Sequence, residues 1–246
     1  MPIIYLSPST QENNLYVTGG TEEQYMNLLA DQMTPYLDAS GIRFVRNTPE
    51  MTAASSIAAS NAGNYDLHLA LHSNAAPENR YGTIQGSIVY YYPGSAKGRQ
   101  AAQIIANGLK AIYPQPNLVR AEGTTAIGEV RRVRAPSVFL ELAFHDNTED
   151  ALWIQNNLNG IAKNLVLSLT EFFGIPFFES SAPRSAQVDV SWGALNIRSR
   201  PNTSAPILAQ LPDGAPLTVL NQFGDWFLVR FDGLTGYANR DFVTIT

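Results

Sequence analysis

Short apolar runs alternate with helical repeats from residue 3 to residue 174, and after residue 187 the helical period disappears. That change of rhythm limits the fold more than any other feature of the chain. "IIYLS" (3–7), "IRFVR" (42–46), "DLHLALHSNA" (66–75), "TIQGSIVYYYP" (83–93) and "PSVFLELAF" (136–144) read as strands. Residues 21–40, 55–63, 98–114 and 148–174 carry helical spacing, the first through Tyr25, Leu28, Leu29, Met33 and Leu37, with Gly41 as its stop signal. Strands alternating with helices predict an α/β fold, a mostly parallel sheet with helices on both faces. In such sheets ligands bind beyond the carboxyl ends of the strands.

The stretch "ESSAPRSAQ" turns small and polar, and residues 179–188 read as a linker. Beyond it, short β-type runs are separated by Pro and Gly/Asp turns, which predicts a small all-β barrel. The expected organisation is a first domain over 1–178 and a second over 189–246.

A net charge of −5 without a basic block argues against a nucleic-acid partner. "VRRVRAP" is the nearest approach to one, and reads as a solvated strand approach or a contact for an acidic ligand. The absence of cysteine excludes a thiol nucleophile, a Cys-ligated metal and disulfides. A serine hydrolase is disfavoured because no G-x-S-x-G elbow occurs. The chain shows no basic-then-apolar leader and no run of membrane-spanning length. Membrane insertion is therefore not expected, the export route stays open, and a monomer is expected.

Two of the three histidines, His68 and His72, share one strand. Alternation puts both on one face with Ala70, and Leu67, Leu69 and Leu71 on the other. Four residues of strand separate them by roughly 13 Å, too far to chelate one ion. At most one is a metal ligand.

"LNIRSRPNTSAPILAQLPDG" (195–214), "GDWFLVRF" (224–231) and "TGYANRDFV" (235–243) resemble the bacterial SH3-like (SH3b) repeat, with its Leu-Asn-x-Arg-x-x-Pro opening. That resemblance implies a module that binds peptidoglycan, or a structural add-on. Residues 2–174 resemble the zinc-dependent N-acetylmuramoyl-L-alanine amidases of family 3. "YDLHLALHSNAAP" is similar to the family segment whose histidine ligates zinc, which falls on His72. His68 stands where the family has an apolar residue, implying a hydrogen-bonded structural histidine. "PSVFLELAFHDN" resembles the segment with the catalytic glutamate, here Glu141. "TEEQYMNLLADQM" resembles the helix that donates a carboxylate ligand, placing it at Glu23 with Glu22 the adjacent alternative. Arg46 matches a strand-end arginine.

The family opens on Asp-Pro-Gly-His-Gly-Gly, which supplies a histidine ligand. This chain has "LSPSTQENN", with Thr10 at that position. His145, beside Glu141, fills the vacancy as a third ligand, or it binds substrate or caps the following helix. Gln11, Glu22, Arg46 and Asn74 are further candidates for substrate contact or alternative ligation. The resemblance implies hydrolysis, at the bacterial cell wall, of the amide between N-acetylmuramic acid and L-alanine in peptidoglycan or muropeptides. Zinc would lower the pKa of a bound water, and Glu141 would take and return its proton. The alternatives are a non-catalytic wall-binding protein and a zinc peptidase acting on stem peptides.

Overall fold

The computed structural model describes residues 1–179 and 183–246, and the chain divides into two compact units, Met1–Glu179 and Ser180–Thr246. The first unit runs β1 (Ile3–Pro8), α1 (Glu22–Ala39), β2 (Arg43–Arg46), α2 (Ala53–Ala62), β3 (Leu67–Asn74), β4 (Ile88–Tyr91), α3 (Ala96–Lys110), β5 (Arg120–Gly123), α4 (Gly128–Arg131), β6 (Ser137–Phe144) and α5 (Thr148–Phe173). Its sheet has the order β2-β1-β3-β6-β4-β5. All pairings are parallel except β4 with β6. The α/β expectation holds, with one antiparallel step inside the parallel sheet.

Burial follows the alternation along β3. Leu67, Leu69 and Leu71 are fully buried on one face, each stabilising the fold by roughly 1.5–3 kcal/mol. Helices α1, α3 and α5 pack together as one layer, whereas α2 packs against α4 as another. His68 reaches both α2 and α4 through Ser60 and Glu129, so the histidine face of β3 looks into that second layer. Helix α1 starts at Thr21, whose hydroxyl accepts from the Gln24 N–H, and α5 stops at Gly174 in the left-handed region (φ 66°).

The strand expected over 83–93 shortens to Ile88–Tyr91. Side chains, not a ladder, hold the residues before it: Asp146 accepts from Gly82 N–H and Asp150 from Gly86 N–H. Strand β5 and helix α4 carry no periodic signal, the first because it is an exposed edge and the second because it is four residues long.

The second unit is an antiparallel sheet of seven strands: β7 (Arg184–Val188), β8 (Ala194–Arg198), β9 (Ile207–Pro212), β10 (Pro216–Phe223), β11 (Trp226–Phe231), β12 (Leu234–Asn239) and β13 (Val243–Ile245). Their inward residues, among them Ile197, Val219, Val229 and Ala238, form one core. This corrects the expected linker over 179–188. Residues 180–182 lie outside the described residues, but Arg184–Val188 is a strand paired with both β10 and β13. Its small polar composition reflects a solvent-exposed face, with Ala186 and Val188 turned into the core.

Candidate active site

The site forms where α1 begins and β3 and β6 end. Parallel register sets His72 beside Glu141, and residues so paired project to the same face. Phe139, two residues before Glu141, therefore also shares that face, and its ring stacks on His72 at 4.2 Å. Glu22 and Glu23 occupy the first turn of α1, where carboxylates are favoured by the helix dipole.

Glu22, not Glu23, meets the histidine. His72 Nδ1–H donates to Glu22 Oε1 at 2.8 Å, the Ser73 N–H donates to the same oxygen, and Asn14 donates to Oε2 at 2.6 Å. The Gln11 side-chain amide lies 3.3 Å from His72 Nδ1. On the far edge of the ring, Nε2 faces Glu129 Oε2 at 3.5 Å. Burial pushes His72 down, but Glu129 and Glu22 outweigh it and raise its pKa to about 10. Burial likewise pushes Glu22 and Glu129 up, yet their hydrogen bonds to histidine hold both below the ordinary carboxylate range, Glu129 at about 2.

Glu141 behaves in the opposite way. Its Oε2 is buried without a hydrogen-bond partner, and burial lifts its pKa to about 8. Nearby Glu22 adds to that rise and His72 opposes it. Such a carboxyl still holds a proton at neutral pH and has an oxygen free to move it.

The remaining candidates are placed elsewhere. Glu23 accepts from Asn27 one turn along its own helix. His145 is buried, stacks on Tyr16 at 5.4 Å and turns Nδ1 onto Ser73. The expected trio Glu23, His72 and His145 is thus not assembled: the helix phase aims the neighbouring Glu22 at His72, and Ser73 occupies the His145 ring. Arg46 is an ion-pair partner of Asp31 and donates to Asn27 Oδ1, so it braces α1. Asn74 accepts from the Ala75 N–H at the end of β3. Glu129 was missed by the sequence reading. Its signal was an acidic residue set between Ile127 and Val130, which a packed helix would bury and therefore oblige to pair.

Among the described residues no three His, Asp or Glu side chains group closely enough to hold a metal ion. Glu22 and His72 are two donors of suitable chemistry, and the Gln11 amide is a third group beside them. Ligand atoms around a tetrahedral zinc stand about 3.3 Å apart, given bonds near 2.0 Å. Glu22 Oε1 and His72 Nδ1 stand 2.8 Å apart, whereas the Gln11 atom 3.3 Å from Nδ1 is its amide nitrogen, its oxygen accepting from Asn14. The second ring nitrogen of His72 is backed by a carboxylate, as ligating imidazoles usually are. Glu22 and His72 are thus a two-donor set of suitable chemistry for one cation, and Gln11 would join them only through its amide oxygen.

Comparison with known proteins gives a family match for each unit. The model of the N-acetylmuramoyl-L-alanine amidase family matches residues 9–171, and that of the bacterial SH3 domain matches residues 193–244. A putative N-acetylmuramoyl-L-alanine amidase of Bacillus subtilis (strain 168), YrvJ, is 27% identical over 96 residues, 39% of this chain. The chain spans only 18% of that relative's length. Among solved structures, the CwlD amidase from Clostridioides difficile, in complex with the GerS lipoprotein, matches with a TM-score of 0.62 at 13% identity, over 71% of this chain and 99% of its own. The amidase AmiC2 of Nostoc punctiforme matches at 0.60 and 15%, over 70% and 97%. The catalytic domain of the CD27L endolysin, which targets Clostridia difficile, matches at 0.58 and 22%, over 70% and 98%. At these identities the structural likeness speaks for the fold.

Proposed function

The chain belongs to the N-acetylmuramoyl-L-alanine amidase family, and from that premise we propose that it hydrolyses the amide between N-acetylmuramic acid and L-alanine in peptidoglycan. The observation that carries this reading is Glu141, a half-buried residue whose Oε2 is buried without a hydrogen-bond partner, beside His72 at the carboxyl edge of the sheet. In its ionised form Glu141 takes a proton from the attacking water and then delivers that same proton to the leaving amine nitrogen.

Amidases of this family are generally zinc-dependent. Here Glu22 and His72 would hold the ion, with the Gln11 amide oxygen as third donor after a half-turn of its side-chain amide. When bound, zinc polarises the scissile carbonyl and acidifies water. Glu129 and Asn14 keep His72 and Glu22 oriented, and Phe139 covers the ring. The second unit, matched by the bacterial SH3 model, tethers the enzyme to the wall. No helix among the described residues is long and apolar enough to cross a membrane. Wall polymer is the partner this assigns.

Turnover of purified muropeptides, read by mass with and without a chelator, tests the reading. Release of free stem peptide, lost on chelation, is the expected result. One observation favours a second reading, a wall-binding protein without turnover: imidazole supplies one metal donor where the family supplies two. Intact muropeptides together with retention on sacculi would establish it.

A further inference from the structure

Both oxygens of the buried Glu129 face histidines of β3. Oε1 accepts from His68 Nε2–H at 3.2 Å and from the Ser7 hydroxyl at 2.7 Å, and Oε2 faces His72 Nε2 at 3.5 Å. His68 is itself fully buried, stacks on Tyr5 at 5.3 Å and accepts from the Ser60 hydroxyl at its other nitrogen. Strand geometry separates the two histidines by roughly 13 Å along the backbone, yet one carboxylate from α4 spans their rings.

We infer that Glu129 is a positioning residue for His72, and that His68 and Ser7 are the fixed points from which it acts. The Phe139 stack sets the plane of the His72 ring but leaves two edge orientations, related by a half-turn. A carboxylate at Nε2 selects the orientation that turns Nδ1 towards Glu22 and Gln11. The same contact makes Nδ1 the more basic donor towards a cation. His68 thus serves the site without entering it. An apolar residue there would leave Glu129 held by Ser7 alone and free to swing away from His72. The inference rests on the amidase reading only for its metal; the ring orientation stands apart from it.

Two readouts on the full chain test it. With 15N-labelled histidine, three residues give an assignable spectrum, and the His72 Nε2–H of the metal-free chain should appear as a slowly exchanging signal. Glu129→Gln should abolish that signal and weaken zinc binding by about 10–100-fold in a chelator-competition titration. Glu129→Asp keeps the buried charge but withdraws it by one carbon–carbon bond, about 1.5 Å. It should fold where Gln fails to, retain the His68 contact and lose the His72 signal. Wild-type protein that binds no zinc removes the proposed cofactor, and the nitrogen spectra then decide the role of Glu129 alone. An unchanged His72 signal in either variant overturns the inference, even if the melting temperature falls.

Discussion

Glu141 lies beside His72 across the parallel pairing of β3 and β6, and one of its oxygens has no hydrogen-bond partner. Burial disfavours the charged form of both residues, and their partners decide the outcome. His72 finds carboxylates on both ring edges and keeps its charge, whereas Glu141 finds no donor and keeps its proton.

Replacing Glu141 by Gln preserves the shape and removes the proton carrier. Muropeptide turnover should fall by about 10²–10⁴. The fold should become more stable above pH 8, because the wild type must then hold a half-buried carboxylate whose Oε2 has no hydrogen-bond donor. Turnover and melting temperature measured on one preparation check both halves. Wild-type turnover would assign Glu141 to structure.

Stability of the metal-free protein should depend on pH in a defined window. Glu129, lowered from 4.5 to about 2, stabilises the fold fully above pH 4.5, and that contribution is lost as pH falls towards 2. His72, raised from 6.5 to about 10, stabilises fully below pH 6.5 and loses that contribution as pH rises towards 10. Glu141, raised from 4.5 to about 8, keeps its proton in the fold and tilts stability downward between those values. Calorimetry in chelator should therefore show decline on both sides of the window from pH 4.5 to 6.5. Glu141→Gln should flatten the window itself. A curve that rises from pH 7 to 9 would contradict the His72 assignment.

The layered fold is legible in the sequence because burial writes a period into it: Leu67, Leu69 and Leu71 fix β3, and Leu28, Leu29, Met33 and Leu37 fix one face of α1. The site is legible only where a side chain belongs to such an element. His72 and Glu141 follow from strand alternation. The choice between Glu22 and Glu23 does not, because a difference of about 100° in helix phase decides it and the N-cap at Thr21 sets that phase. Glu129 and Gln11 come from a four-residue helix and an irregular loop. Neither has a period, so only the fold brings them to His72.

Gln11 stands beside His72 and directly follows Thr10, the position at which the resemblance leaves a histidine missing. Gln11→His should supply the third strong donor and tighten zinc binding by at least about tenfold, since imidazole is a far better zinc ligand than a neutral amide. Thr10→His should do less, because it is the Gln11 side chain that reaches the ring. Metal titration of both variants against wild type measures this. Equal affinity in Gln11→His and wild type would remove Gln11 from the metal position.

The boundary between the units gives the last prediction. Residues 184–188 pair with both β10 and β13, and Ala186 and Val188 are among the core residues of the second unit. A cut before residue 189 therefore takes a strand and two core side chains from that unit. It leaves unpaired the edges of β10 and β13 that β7 had joined. Fragment 183–246 should fold and give dispersed amide spectra, whereas 189–246 should be unfolded or aggregate. Fragment 1–179 keeps every element of the first sheet and should fold alone. It should retain turnover on small muropeptides and lose affinity for sacculi. Dispersed spectra from 189–246 would show that β7 is dispensable and return these residues to the role of a tether.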